Sequence, residues 1–202
     1  MERVLGFVDG FNLYFGLRTA GYKPLLWLDV SKLVSNLCKP HQTCVGVNYF
    51  TARISGPGPK HDRQKTLLEA YETLADCKVH FGMYQSSSRT CSSCGAQWNE
   101  SSEKMTDVNI AVEMMSAAAL NEFDTALLVS ADSDLAPAVQ KTTQLFGKRV
   151  VIAFPPKRFS HRLCTLASAY FHISRRQLAN SQLAETITKP DGFVLRRPPS
   201  WT

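Results

Sequence analysis

Short apolar segments that stop at acidic residues constrain the fold of this chain most. Residues 4–8 form one such segment, which ends at Asp9, and residues 125–130 form another, which ends just before Asp132. Uninterrupted apolar segments of this length are typical of strands that are buried on both faces of a parallel sheet. The sequence therefore predicts a parallel sheet with carboxylates where its strands end.

Segments with helical spacing alternate with the strands. Further strands are predicted at residues 44–53, 78–85, 149–154 and 171–174, and helices at residues 28–37, 60–75, 107–120, from 135 or 137 onward, and 163–170. Residues 10–12 are expected to be a loop. For the helix at 107–120, Thr106 is the expected cap. Its expected buried stripe is Val108, Ala111, Val112, Met115 and Ala119. Strands and helices in this order predict an α/β fold, a three-layer α/β/α sandwich with a mostly parallel central sheet.

Length and charge limit the organisation and the partners. The chain has 202 residues, enough for one domain at 1–188 followed by a tail at 189–202. Its 23 Lys and Arg against 17 Asp and Glu give a net charge of +6, which favours polyanionic partners such as nucleic acid. No apolar stretch is long enough to cross a bilayer or to form a signal-peptide core, so we expect no membrane association and a cytoplasmic location. The sequence leaves open whether the chain forms a homo-oligomer.

Carboxylates are expected to converge at one edge of this sheet. Asp9, Asp132 and Asp134 follow strands, and Asp107 opens a helix. Each has an ordinary explanation, because aspartate caps helices and turns. Together, however, unpaired like charges are tolerated mainly where a divalent cation neutralises them. Such a cation would be hard, like Mg²⁺, and would make a bound water acidic enough to attack a phosphodiester.

Three segments in order resemble the signatures of a known family. They are DGFNLY at residues 9–14, EKMTDVN at 103–109 and LVSADSDLAPA at 128–138. These resemble the motifs of the NYN domain, in the PIN-like ribonuclease superfamily, which includes LabA-type and limkain-type proteins. The resemblance spans roughly residues 4 to 174, and it implies a PIN-like, Rossmann-related fold.

The resemblance also implies roles for individual residues. Asp9, Asp107, Asp132 and Asp134 match the acidic set that binds Mg²⁺ or Mn²⁺, with Asn12 and Ser130 or Ser133 as polar support. Glu103 matches a further acidic position and either ligates the metal or caps the next helix. The implied activity is metal-dependent cleavage of single-stranded or flexible RNA. The alternative is a catalytically weak RNA-binding regulatory module with the same fold.

A phosphatase of the haloacid-dehalogenase type is a third interpretation, since that class also places aspartates at strand ends around Mg²⁺. It needs a second aspartate two residues after its nucleophile. Phe11 occupies that position here, which argues against it.

One cysteine pair has the spacing of a zinc knuckle. Cys91 and Cys94 form a C-x-x-C-G motif inside a polar insertion at about 86–102. A tetrahedral zinc ion needs two further ligands, for which His80 and Cys77 are candidates, with His61 or the pair Cys38 and Cys44 as others. Free surface thiols or a redox pair are the alternatives.

Basic residues recur along the chain. They include Arg53, Lys60, Arg63, Arg89, Lys104, Lys157, Arg158 and Arg162. The best local cluster is Lys157, Arg158, Phe159 and Arg162, which combines cations with an aromatic ring just beyond a strand end. Such a mixture suits contacts to phosphates and stacking on a base, so we expect this cluster to bind RNA.

Overall fold

The fold is built from ten strands and seven α-helices in the part of the chain that the structure describes. A computed structural model describes residues 1–54 and 56–201, except for the side chains of 84–87 and 99–103. The strands are Glu2–Asp9 (β1), Gln42–Thr51 (β2), Cys77–Phe81 (β3), Met83–Thr90 (β4), Gln97–Lys104 (β5), Thr125–Val129 (β6), Arg149–Phe154 (β7), Ala169–His172 (β8), Thr186–Thr188 (β9) and Val194–Arg196 (β10). The helices are Gly10–Thr19 (α1), Val30–Leu37 (α2), Pro59–Tyr71 (α3), Thr106–Ala119 (α4), Ala136–Phe146 (α5), His161–Leu166 (α6) and Arg175–Ala179 (α7). Short 3₁₀ turns cover Lys23–Leu25, Ser133–Leu135 and Pro199–Trp201.

Six strands form one parallel sheet in the order β3-β2-β1-β6-β7-β8. Side chains of β1 alternate between its two faces, as the period of a strand requires. Val4 and Val8 join the apolar core beneath α1, α2 and α3, whereas Leu5 and Phe7 join the core beneath α4, α5 and α6. Helices therefore cover both faces, and the three-layer α/β/α fold predicted from the sequence is confirmed.

The chain turns straight from β1 into α1, where a loop is expected from the sequence. Asp9 caps this helix, because its side chain accepts a hydrogen bond from the backbone N–H of Asn12. Two glycines and three aromatic residues in α1 weaken its intrinsic helix propensity, so its sequence does not resemble that of an isolated helix. The cap and the burial of Leu13 and Leu17 against the sheet stabilise it.

The insertion expected at 86–102 is the end of a two-stranded antiparallel hairpin. Strands β4 and β5 pair from Met83 with Lys104 to Thr90 with Gln97. Polar residues predominate on both strands, so the sequence lacks the apolar alternation that a half-buried strand normally shows. The hairpin carries the Cys91 and Cys94 turn between its strands.

The segment expected to be a tail packs against the domain. Strand β10 pairs with β9, and Leu195 is buried. The Trp201 side chain is only 5% exposed, and its ring centroid lies 6.4 Å from that of Trp27. These apolar residues are isolated between prolines, glycines and charges, so they show no period along the sequence. Residues 189–201 are therefore part of the folded unit.

Candidate active site

The carboxyl ends of β1 and β6 meet at the point where the order of the sheet reverses. From β1 the chain runs outward to β2 and β3, and it then returns to place β6 on the other side of β1. The crevice outside such a reversal is where open α/β sheets usually bind ligands. Asp9 is the last residue of β1, and Ser130 directly follows β6.

Asp9 is a buried carboxylate held by two hydrogen bonds. The residue is 4% exposed; its Oδ1 accepts from the Asn12 N–H at 2.9 Å and its Oδ2 from the Ser130 hydroxyl at 2.8 Å. Burial raises the pKa of Asp9 to about 6, against the opposing effect of these two hydrogen bonds. The charges of Asp107 and Asp132 raise it further, so three of the four predicted carboxylates interact electrostatically.

Two polar side chains tie the ends of β1 and β6 together. Ser130 is fully buried, and its Oγ accepts from the Asp132 N–H at 3.0 Å while donating to Asp9. The Asn12 side-chain oxygen accepts from the Ala131 N–H at 3.1 Å. Asp9 is thereby fixed to the loop that carries Asp132 and Asp134.

The loop after β6 holds the next two carboxylates. Asp132 caps the short 3₁₀ turn that follows, since its Oδ1 accepts from the Asp134 N–H at 2.9 Å. Asp132 is half-buried, while Asp134 and Ser133 are exposed. Ser133, a candidate supporting residue, makes no side-chain hydrogen bond within the described part of the chain.

Asp107 reaches the same edge from the first turn of α4. Burial, and then the charges of Asp132 and Asp134, raise the pKa of its carboxyl. The start of α4 is fixed to the end of β3 by Asn109, whose Nδ2 donates to the Phe81 carbonyl at 3.2 Å.

Thr106 is not the cap of α4, which corrects the sequence-based expectation. It is the first helical residue and follows Met105, which has a φ of 76°. Its hydroxyl is packed against Gly82, where an added Cβ would lie 2.6 Å from Thr106 Oγ1. The hydroxyl therefore faces neighbouring backbone rather than the α4 amides. The side chain of Glu103 lies outside the described residues.

The chemistry of this site suits a hard divalent cation. Its donors are carboxylates, the ligands that Mg²⁺ and Mn²⁺ prefer. A cation would favour the ionised forms of Asp9 and Asp107, whose pKa values are raised first by burial and then by mutual repulsion. Across residues 1–54 and 56–201, however, no three described His, Cys, Asp or Glu side chains are already arranged to hold one ion. The donor types fit a metal, and a complete coordination shell is not preformed among them.

A pocket of about 320 Å³ opens between α1, α3 and the end of β2, and its lining includes Gly10, the residue after Asp9. Its aromatic lining consists of Phe11, Tyr14, Phe15, Tyr49 and Trp201. Three cations also line it, Arg18, Lys60 and Arg63. Only the fold brings the four separate segments that line this pocket together. In the sequence, Lys60 and Arg63 are two of many scattered basic residues. No sequence signal marks Tyr49, Arg18 or Trp201 as residues of a binding site.

The predicted RNA-binding cluster lies on the other side of α1. Lys157, Arg158 and Phe159 follow β7, and Arg162 lies in α6. Phe159 is 54% exposed, and one face of its ring stacks on His172 at a centroid distance of 5.9 Å. Arg158 packs near Gly16 of α1. The cluster is thus at the same edge of the sheet as the carboxylates.

The cysteine pair occupies the turn of the β4–β5 hairpin. The Cys91 N–H donates to the Ala96 carbonyl at 2.8 Å, and the Gly95 N–H to the Cys91 carbonyl at 2.9 Å. Backbone hydrogen bonds from Ser93 and Cys94 lower the pKa of the Cys91 thiol. Thiolate character of this kind suits metal binding and also redox chemistry.

The structure does not bring the predicted zinc partners to this turn. His80 Nε2 lies 2.8 Å from Asn48 Oδ1, its Nδ1 lies 3.6 Å from Glu113 Oε1, and its ring stacks on Phe50. Cys77 packs against the apolar core, where burial raises its pKa to about 12. Both side chains are therefore engaged within the main sheet, and neither joins Cys91 and Cys94 in a group of three metal ligands among the described residues.

Comparison with known proteins identifies the family to which this three-layer fold belongs. The family model for the NYN domain matches residues 3–175. The chain therefore belongs to the NYN domain family, which has a PIN-like, nuclease-type fold. The family resemblance predicted from the three motifs is confirmed.

Two similar proteins show how far the likeness extends. The 6-hydroxy-3-succinoylpyridine 3-monooxygenase HspA of Pseudomonas putida is 24% identical, over 88% of this chain and 67% of its own length. The crystal structure of VPA0982, a Vibrio parahaemolyticus protein of unknown function, superimposes with a TM-score of 0.57 at 21% identity, covering 90% of this chain and 96% of that one. The second likeness shows a shared fold. Among the described residues, no helix has both the length and the apolar character to cross a membrane.

Proposed function

We propose that this protein is a divalent-metal-dependent ribonuclease that hydrolyses phosphodiester bonds of single-stranded or flexible RNA. One observation supports the proposal most directly: the buried Asp9, at the switch point of an NYN fold, has a raised pKa because of burial and, in addition, the charges of Asp107 and Asp132. Folding would not favour such a group of acids without a positively charged ligand. The net charge of +6 on the whole chain favours a polyanionic substrate despite this local negative charge.

In this mechanism the chain supplies a fixed anionic site. Asp9, Asp107, Asp132 and Asp134 would hold Mg²⁺ or Mn²⁺, and a bound ion would supply an acidified water and neutralise charge on the phosphate oxygens. Ser130 and Asn12 orient Asp9 and the loop after β6 through the hydrogen bonds that connect them. Asp132 fixes the turn that presents Asp134. The basic cluster at 157–162 would hold the RNA backbone next to these acids.

A cleavage assay on labelled RNA, with Mg²⁺, with Mn²⁺ and with EDTA, tests the proposal. Asp132→Asn is the sharpest variant, because an asparagine oxygen still accepts the Asp134 N–H and so preserves the turn. We expect cleavage to fall on the order of 100-fold, the usual size for losing one preorganised electrostatic group. The matched control is Asp76→Asn, an exposed carboxylate just before β3, at the opposite edge of the sheet.

The outcomes separate the two family-based alternatives. Metal-dependent cleavage that Asp132→Asn removes and Asp76→Asn leaves intact supports the nuclease. Metal-independent binding of RNA without any cleavage would favour the regulatory module. Full activity of Asp132→Asn would overturn the assignment of the acidic site.

Ring hydroxylation is a second candidate function, suggested by the name of the HspA relative. The observation that favours it is the aromatic lining of the 320 Å³ pocket next to Asp9. Such a reaction would use O₂ and two electrons from a reduced nicotinamide, insert one oxygen atom into a pyridine ring and release the other as water. Oxygen uptake that depends on a pyridine substrate and on the reduced nicotinamide tests it. Uptake at the background rate would exclude this candidate.

A further inference from the structure

The pocket beside the acidic residues has the size and lining of a small-ligand site. Its volume of about 320 Å³ falls at the lower end of the range of roughly 300–1,000 Å³ that is usual for such pockets. Tyr14 and Phe15 of α1 line one side, and Leu67 of α3 and Trp201 line it as well. Aromatic side chains in this setting stack on planar rings.

The hydroxyl of Tyr49 lies at this pocket, where it can meet a ligand. Tyr49 is 7% exposed and lines the pocket, and its O–H forms no hydrogen bond with any group in the described part of the chain. Burial raises the pKa of Tyr49, as does the charge of Asp9, so the group stays a neutral donor. A phenolic hydroxyl that lines a pocket and is not used within the described part of the chain can donate a hydrogen bond to a ligand there.

The neighbouring glycine shows how closely this hydroxyl is packed. A Cβ added at Gly10 would lie 2.5 Å from the Tyr49 oxygen and 2.7 Å from the Phe50 carbonyl oxygen. Only glycine at this position lets the start of α1 lie against β2. The packing fixes the Tyr49 ring beside the first turn of α1.

Positive charge lines the same pocket. Three cations contribute this charge, namely Arg18, Lys60 and Arg63. None of them forms an ion pair with a carboxylate whose side chain the structure describes. The Arg18 guanidinium lies over the Tyr14 ring, 5.8 Å from its centroid. Unpaired cations around an aromatic pocket suit a planar ring that carries an anionic group.

The pocket and the acidic site meet at the start of α1. Gly10 lines it and follows Asp9, and Tyr49 pairs with Val8 in the register of β1 and β2. We propose that this pocket binds one nucleotide of the substrate strand, stacking its base on the aromatic lining, donating to the base from Tyr49 and pairing its phosphate with Arg18, Lys60 or Arg63. The identification of the ligand as part of an RNA rests on the proposed nuclease function, whereas the affinity for a ring with an anionic group does not.

Calorimetric titration with AMP, GMP, CMP and UMP in EDTA tests the proposal without the catalytic metal. Tyr49→Phe removes only the hydroxyl, and we expect about fivefold weaker binding of the preferred nucleotide. Arg63→Gln should weaken binding about tenfold. The matched control is Arg149→Gln, an exposed arginine at the start of β7, at the opposite edge of the sheet, which should bind as the wild type does.

The outcomes are distinct for the pocket and for the nuclease. Weaker binding by both pocket variants, with the control unchanged, supports the proposal, even if wild-type protein cleaves no RNA and the proposed function fails. Wild-type affinity in Tyr49→Phe and Arg63→Gln would overturn it. Binding of nicotinate in place of every nucleotide would also overturn it, since the pocket would then recognise a small pyridine acid. Asp132→Asn should retain nucleotide binding while losing cleavage.

Discussion

The Ser130 hydroxyl donates a hydrogen bond of 2.8 Å to Asp9 Oδ2, across 121 residues of sequence. The same hydroxyl oxygen accepts the Asp132 N–H at 3.0 Å. One buried serine therefore joins the carboxylate of Asp9, at the end of β1, to the backbone of Asp132 in the loop after β6. Because a hydrogen bond to the charged form favours ionisation, Ser130 also opposes the effect of burial on the pKa of Asp9.

Replacing this serine should affect both stability and the pH profile. In Ser130→Ala, Asp9 Oδ2 and the Asp132 N–H lose their buried partner, which should cost about 1–3 kcal/mol of unfolding free energy. The pKa of Asp9 should rise further, so the acidic limb of the cleavage profile should move to higher pH. Chemical denaturation and a rate–pH profile measure the two effects.

Ser133→Ala is the matched control for this serine. Ser133 is exposed and close in sequence, and its substitution should change stability by less than about 0.5 kcal/mol. A Ser130→Ala protein with wild-type stability and an unchanged profile would contradict a positioning role.

Asp9→Asn should stabilise the metal-free protein in a pH-dependent way. Burial raises the pKa of Asp9 from 3.8 to about 6 in the folded protein. Between these two pH values the folded state keeps a proton that the unfolded chain has released. Wild-type stability should therefore fall as pH rises from about 4 to 6, and Asp9→Asn removes this loss. The gain above pH 6 should reach at most about 3 kcal/mol.

Denaturation in EDTA across this pH range measures the difference. Asp76→Asn controls for the loss of one negative charge at an exposed position. A constant gap between Asp9→Asn and wild type from pH 4 to 7 would show that Asp9 ionises without a burial penalty. Loss of folding in Asp9→Asn would instead show that the carboxylate is needed for structure.

The amino-acid sequence contains most of the information that places the acidic residues. Continuous apolar strands require burial on both faces, and parallel strands must end at the same edge, so the strand pattern alone places Asp9 and Asp132 together. The pocket could not be predicted in this way. Tyr49 alternates like any strand residue, and the position of its hydroxyl beside Gly10 depends on the packing of α1, which no local pattern indicates.

Helix α4 shows where patterns are ambiguous. The expected buried stripe included Val108 and Val112, which are 59% and 56% exposed, while Ile110 and Met114 are buried. Its sequence is apolar nearly all round, so hydrophobic periodicity alone does not select a face. The buried face is the one that packs on the sheet through Ile110 and Met114, and Asn109 hydrogen-bonds the end of β3 at the start of the helix.

The cysteine pair should bind zinc that is shared between two copies of the chain. Zinc needs four ligands, and among the described side chains no third His, Cys, Asp or Glu joins Cys91 and Cys94. We expect one zinc per two chains by elemental analysis and native mass spectrometry. Cys91→Ser with Cys94→Ser should remove both the zinc and the dimer, while Cys164→Ser, a cysteine that packs against the core, should change neither.

Three outcomes would contradict this zinc prediction. Protein without zinc whose two thiols titrate freely would exclude the metal. One zinc per monomer would show that ligands come from within the chain. A disulfide between Cys91 and Cys94 in protein purified under air would favour the redox alternative.

RNA binding should depend on the 157–162 cluster and fall steeply with salt. When Lys157, Arg158 and Arg162 bind phosphates, they release the counterions of the RNA. The logarithm of the association constant, measured in EDTA, should therefore fall linearly with the logarithm of the salt concentration. Arg158→Glu should weaken binding to all RNA sequences about equally and reduce this slope.

Phe159→Ala should cost about 1–3 kcal/mol of binding if its exposed ring face stacks on a base, since His172 covers the other face. Arg149→Gln, at the opposite edge, controls for net charge. A flat salt response, or an Arg158→Glu variant that binds as tightly as wild type, would place the RNA path along α3 and its cations instead.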